Sequence, residues 1–269
     1  MSSLAAQPAC KPSSSNSQEI RPIVSPIHRL PTELLVKIFV HCIHPQTAMF
    51  ILSSDAPLLL AQICSHWRTV ALGTPCLWRS ISHFSVNKWG RWQRYGSLAK
   101  LFLSRSAGCP LSIRLWLIWP TYTNDHPILD ALIPHADRWE DISLGIQVSW
   151  CRSLEPLVGK LSQLRKLYLH RTIDNATQLE PIRCFQTAPN LREVDISFDH
   201  RSLFLPWSQL THCTLSCLNI SSCAEIIRLA SSLIHCMLDS CQHDSEAPRR
   251  PVDSQLVSLH VREVLGGWE

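Results

Sequence analysis

Leu30-Pro31-Thr32-Glu33-Leu34-Leu35-Val36-Lys37-Ile38-Phe39 carries two apolar stripes at helical spacing. Leu34, Ile38 and Cys42 fall on one, and Leu35, Phe39 and Ile43 on the next. Pro31 suits the first turn of such a helix, where its missing N–H would have no partner. Pro45 ends the helix, and residues 46–57 read as a loop with one apolar anchor around Met49–Leu52. A second helix is predicted from about Leu58 to Leu72, with Leu59 or Leu60, Ile63, Trp67 and Val70-Ala71 on one face. Gly73 closes it and Pro75 follows shortly after. Leu77-Trp78 adds an apolar plug. Two helices bury little, so this unit is too apolar on its surface to stand alone.

Upstream, the first 26 residues hold seven Ser and four Pro and no apolar block. They read as a disordered tail without a secretory signal, which implies cytoplasm or nucleus and reduced thiols. Twelve Cys are scattered with no C-x-x-C, so they read as small buried hydrophobes. The sequons at Asn175 and Asn219 carry no weight without secretion.

Downstream, residues 85–110 form a helical connection. Lys88, Arg91 and Arg94 interleave there with Trp89, Trp92 and Tyr95. The mixture suits single-stranded nucleic acid, but at three-residue spacing the aromatics also make a packing stripe, and the net charge of +4 favours packing. Leu111, Ile113, Leu115 and Leu117 then alternate as in a strand.

From there a template recurs, apolar at its first, fourth and sixth positions. It fits Trp139/Ile142/Leu144, Leu164/Leu167/Leu169, Leu191/Val194/Ile196, Leu210/Cys213/Leu215, Leu233/Cys236/Leu238 and Leu256/Leu259/Val261. The starts are 25, 27, 19, 23 and 23 residues apart, near the period of leucine-rich repeats. Apolar residues are 45% of the 269, so single triplets arise by chance, and the spacing and the helix-like intervals at Leu154–Leu161 and Ala224–Leu229 carry the argument. The last copy is followed by eight residues with no polar cap, which reads as a shortened relative or a truncated array. The residues between the buried positions would share the opposite, concave face. They are Asp141, Ser143, Lys166, Tyr168, His170, Glu193, Asp195, His212, Thr214, His235, Met237, Asp239, Ser258, His260 and Arg262. A plain solvated face is the competing reading.

Composition excludes more than it names. Gly numbers 8, and there is no phosphate loop, G-x-S-x-G, H-E-x-x-H or dinucleotide fingerprint, so catalysis finds no support. His212 and His235 share a template position and would lie about 5 Å apart. Cys213 alternates inward, so no metal site is expected there and no cofactor elsewhere. No run reaches the roughly 18 apolar residues of a membrane span.

The segment from Ile27 to Ile81 resembles an F-box. Four blocks stand in order: Leu30-Pro31-Thr32-Glu33-Leu34-Leu35; Ile38-Phe39; Ile63-Cys64-Ser65-His66-Trp67-Arg68; and Ala71, Pro75, Leu77-Trp78. Together with irregular leucine-rich repeats, the chain looks like the expanded F-box families of mushroom-forming fungi. The gap between Pro45 and Pro57 is longer than in most F-boxes, and His66 stands where a basic residue is common. The resemblance implies an α+β protein: a disordered tail at 1–26, an all-α F-box at 27–84, a connection at 85–110 and an α/β repeat solenoid at 111–269. It implies docking on a Skp-type adaptor of a cullin–RING ubiquitin ligase through Leu30, Pro31, Leu34, Ile38, Phe39 and Ile63. Leu35, Cys64, Trp67, Ala71, Leu77 and Trp78 would pack inside. An internal-core role for the whole Leu30–Phe39 stripe is the competing reading. Tyr168, His170, Glu193, Asp195, His212, His235, Asp239, His260 and Arg262 would present an unknown protein target. The alternatives are a scaffold that uses the same surfaces without ubiquitin transfer, and a nucleic-acid module at Lys88–Tyr95.

Overall fold

The computed structural model describes residues 26–43, 55–84, 92–116, 127–172, 181–242, 255–262 and 264–265. Residues 1–25 of the tail predicted at 1–26, the Met49–Leu52 anchor, and Lys88, Trp89 and Arg91 lie outside the described residues.

Helix α1 spans Thr32–His41 with Pro31 at its N-cap. The predicted second helix is two. Helix α2, Leu60–Ile63, ends at Cys64, whose backbone is extended (φ −157°, ψ 172°). Helix α3, Ser65–Leu72, starts there, with the Cys64 thiol accepting from Trp67 N at 3.4 Å. Arg68 Nε donates to Ala61 O at 2.8 Å, tying the halves together. Periodicity registers both halves as one helix because the break costs only one residue of phase. A 3-10 turn at Pro75–Trp78 follows, then strand β1, Ser80–Phe84.

Helix α4, Trp92–Arg105, buries Ala99, Phe102 and Leu103. Next come β2 (Leu111–Trp116), α5 (Pro127–Leu132) and β3 (Trp139–Ile146). They are followed by β4 (Lys166–Arg171), β5 (Glu193–Ile196) and β6 (His212–Ser216). Helix α6 (Ile220–Leu229), β7 (His235–Asp239), β8 (Cys241–Gln242), β9 (Ser258–Val261) and β10 (Val264–Leu265) complete the described chain. Asn219 caps α6, its side chain accepting from Ser222 N at 2.8 Å.

Eight strands form one sheet in the order β1-β2-β3-β4-β5-β6-β7-β9, every pair parallel. The fourth and sixth positions of all six template copies fall on strands of this sheet, in chain order, and in five copies the first position lies two residues before the strand. Because the strands are in register, their inward residues line up as rows. One row runs Ile81, Ile113, Ile142, Leu167, Val194, Cys213, Cys236, Leu259. A second runs Leu115, Leu144, Leu169, Ile196, Leu215, Leu238, Val261. Such rows recur only when every connection returns the chain by one strand spacing, which is what the near-constant interval encodes. A staircase of backbone bonds repeats at the strand entries: Arg165 N to Glu140 O, Arg192 N to Arg165 O, Thr211 N to Arg192 O, Ile234 N to Thr211 O and Val257 N to Ile234 O.

Buried thiols fill gaps in this core. Cys151, Cys184, Cys213, Cys223, Cys236 and Cys241 are buried, whereas Cys42, Cys76 and Cys217 are exposed. Burial pushes the Cys184 thiol up to about 12 and Cys236 to about 11, so both stay protonated and behave as hydrophobes.

The helical unit is not hinged to the sheet. A single core runs from Leu35 and Phe39 through Trp78 and Ile81 into the strands. Arg138 locks a further joint, donating to Cys109 O from Nε at 3.1 Å and Nη2 at 2.9 Å, and to the buried Ser106 Oγ at 2.7 Å. At the far end the rows run out of cover: among the described residues, Leu259 and Val261 of β9 are about half exposed.

Candidate functional site

The first surface is built by α1, α2 and α3. Of the six residues the F-box resemblance assigned to docking, Leu34, Ile38 and Ile63 are 46%, 42% and 55% exposed. Pro31 is exposed and Leu30 half-buried. Phe39 needs correction: it is fully buried, with its ring 4.9 Å from that of Trp67. Phe39 lies one turn beyond Leu35, also fully buried, and five residues beyond Leu34, so it follows the inner stripe. Of the packing set that the resemblance implies, Leu35, Ala71, Leu77 and Trp78 are buried, and Cys64 and Trp67 are partly so. Helix α1 thus turns one stripe inward and leaves the other, Leu34 and Ile38, without cover among the described residues. Leucine and isoleucine exposed next to one another on a helix are what a docking face supplies.

The second surface is the polar face of the sheet. Alternation puts all nine residues proposed for target contact on it, and register joins them. Glu193, His212 and His235 lie side by side on β5, β6 and β7. Tyr168 pairs with Asp195, and Met237 with His260. The His212 and His235 rings are 4.7 Å apart, and His235 Nδ1 lies 2.6 Å from Ser258 Oγ. His170 Nε2 is 3.0 Å from Asp195 Oδ1, an ion-pair contact poorly aligned for a hydrogen bond. Arg262 Nη1 and Asp239 Oδ2 are 4.0 Å apart. Among the described residues no three His, Cys, Asp or Glu side chains gather as a metal site.

The face extends further than the template copies indicate. Strand β2 adds Arg114, in register with Ser143, and Trp116, in register with Gly145. Their alternation with Leu111, Ile113 and Leu115 was the available signal. Trp116 lies across Gly145 and stacks on His170, ring centroids 6.0 Å apart at 19°. Gly145 permits this: a Cβ there would sit 2.6 Å from Trp116 Cε3. Gly145→Ala should therefore dislodge the indole and cost about 1–3 kcal/mol. Denaturant unfolding of Gly145→Ala, Trp116→Ala and the double variant checks it, because the double variant should lose less than the sum of the two.

Charge on the face is largely internal. Lys166 Nζ meets Glu193 Oε2 at 2.6 Å, and the hydrogen bond to Glu193 raises the lysine pKa. Burial raises the Asp141 carboxyl above its ordinary value, although Arg114 and Lys166 oppose the shift. The ionised form is thus less favourable in the folded chain than in the unfolded one. That cost is absent below the ordinary carboxylate pKa and appears as pH rises through the raised one. Asp141→Asn should raise the melting temperature at pH 7 and lose that advantage near pH 3, as thermal melts at both values would show.

Tyr95 is partly buried and packs on the core. No helix among the described residues is long and apolar enough to cross a membrane.

The described chain thus joins a helical unit with one buried and one open apolar stripe to a parallel sheet with a polar face. Residues 27–83 match the F-box-like family model, so the unit carrying the open stripe is an F-box-like domain. F-box domains typically bind Skp-type adaptors and point, in general terms, to substrate recognition for ubiquitin ligases. No curated protein matches the chain.

Proposed function

We propose that the chain is a non-catalytic substrate receptor of a Skp–cullin–F-box ubiquitin ligase, acting in the cytoplasm or nucleus. In this reading residues 27–84 are the F-box, and Leu30, Pro31, Leu34, Ile38 and Ile63 contact the adaptor. Residues 85–110 connect it to an irregular leucine-rich-repeat solenoid over 111–269, of the kind in the expanded fungal families. The polar sheet face presents the target. The observation that carries the reading is the open stripe of Leu34, Ile38 and Ile63 within an F-box-like domain. The eight strands in chain order, all parallel, support the solenoid. Function is then positioning. The continuous core holds both surfaces at a fixed separation, which raises the target's effective concentration at the ligase. F-box proteins are generally adaptors, with the chemistry in other subunits.

The test is co-expression with a Skp-type adaptor and size-exclusion chromatography. A one-to-one complex that the Leu34→Asp/Ile38→Asp variant cannot form is the expected result. A folded wild-type chain that ignores the adaptor would overturn the reading. A complex that binds adaptor yet recruits no cullin would replace it with an F-box scaffold.

A further inference from the structure

Cys223 of α6 and Cys241 of β8 are both buried, and their sulfurs lie 3.7 Å apart. They stand 18 positions apart in a chain with twelve Cys, so spacing alone does not pair them. The Cys241 thiol also donates to Leu215 O of β6 at 3.6 Å, which holds its sulfur inward. A disulfide needs its sulfurs at about 2.0 Å, and rotation about the two Cα–Cβ bonds is the motion that closes such a gap. Two more thiols of the same core, Cys213 and Cys236, are paired in register on β6 and β7. Burial pushes the Cys236 thiol up to about 11 and holds Cys213 well above its ordinary value, so neither supplies a thiolate readily.

We infer that Cys223 and Cys241 form an oxidation site that closes to a reversible disulfide, with hydrogen peroxide as the oxidant. The Cys241 thiolate attacks one peroxide oxygen, the O–O bond breaks, and the leaving hydroxide takes up the thiol's proton as water. The Cys223 sulfur then attacks the sulfenic sulfur, the S–S bond forms, and the hydroxyl group leaves with the second thiol proton as water. Two thiols lose two electrons, and one peroxide is reduced to two waters. Access comes from the shortness of β8. It is two residues long and is held by β10, also two residues, and by a bridge from Gln242 to Asn219. Ser240, just before it, is held at φ 52°. Local opening of so short a strand admits a small oxidant while the large sheet stays intact. The bond brackets β7, because α6 precedes that strand and β8 follows it. Strand β7 presents His235, Met237 and Asp239 on the polar face, so oxidation fixes the strand that carries them. Control of target binding by this route rests on the receptor reading above; the oxidation site itself does not. In a reducing compartment such a disulfide is transient, which suits a redox sensor.

The test uses the full chain without adaptor or target, so failure of the receptor reading and failure of this site are separate results. The reduced chain is treated with hydrogen peroxide, remaining thiols are alkylated in denaturant, and non-reduced tryptic peptides are mapped by fragmentation mass spectrometry. The expected product has lost two hydrogens, carries Cys223 linked to Cys241, and melts about 5–10 °C higher than the reduced chain. Dithiothreitol should reverse both changes. Cys223→Ala and Cys241→Ala should each remove the link and the shift, whereas Cys217→Ser, at an exposed thiol, should keep both. If an alanine variant fails to fold, the wild-type map still decides, since it reads the linked pair directly. Cys223 and Cys241 both alkylated after peroxide treatment, a link between other cysteines instead, or a link that leaves the melting temperature unchanged would overturn the proposal.

Discussion

Trp78→Ala should lower the melting temperature by on the order of 10 °C. The indole is fully buried and touches three parts of the chain. Its Nε1 donates to Ala71 O at 2.9 Å, closing α3 onto the Pro75–Trp78 turn. Phe102 of α4 meets it edge-on at 5.1 Å and 70°. The Arg105 guanidinium lies 4.4 Å from the ring centre. Truncation removes a large apolar volume from a site whose walls belong to different elements, so it cannot collapse as one piece. Losses of about 3–5 kcal/mol follow from such cavities. In a chain of this size each kcal/mol moves the melting point by about 2–4 °C. Trp78→Phe keeps much of the volume and loses the bond to Ala71, so it should fall between. Thermal unfolding by circular dichroism reads both, and a Trp78→Ala melt within 2–3 °C of wild type would refute the argument.

The second large effect separates two neighbouring stripes on one helix. Leu34→Asp/Ile38→Asp should melt like wild type and bind a Skp-type adaptor at least about 100-fold more weakly. Burying one such side chain is worth about 1.5–3 kcal/mol, and two charges placed in an apolar interface add desolvation. Phe39→Asp should do the reverse. It places a carboxylate where exposure is zero, against Trp67, and should leave little folded protein to assay. Melting curves and adaptor titrations on the same preparations decide the matter. If the surface pair unfolds the chain instead, the outer stripe is core and docking must lie elsewhere.

The strands at Leu111–Trp116 and at each template copy were legible because a half-buried strand writes its period into the sequence, and a repeating connection writes its interval. The two stripes of α1 were legible for the same reason. Their assignment was not: Leu34 and Leu35 are equally apolar, and only the elements packed on one side decide which is buried. Phe39 was misplaced on that account. The break at Cys64 was hidden because an extended residue between helices shifts the apolar phase by less than the pattern resolves. Strand β1 was hidden because it leaves the helical unit directly, one residue after the Pro75–Trp78 turn.

What the sequence by itself determined is local and periodic: the two stripes of α1, the strands at Leu111–Trp116 and at the template copies, which residues alternate there, and that 27–83 reads as F-box-like. The tertiary structure alone decided which apolar stripe faces out, that Trp116 crosses Gly145 to reach His170, and that the thiols of Cys223 and Cys241 meet. The reason is physical. Periodicity depends on neighbours a few residues apart, which the chain encodes directly, whereas these juxtapositions depend on how far each connection carries the chain before the next strand pairs.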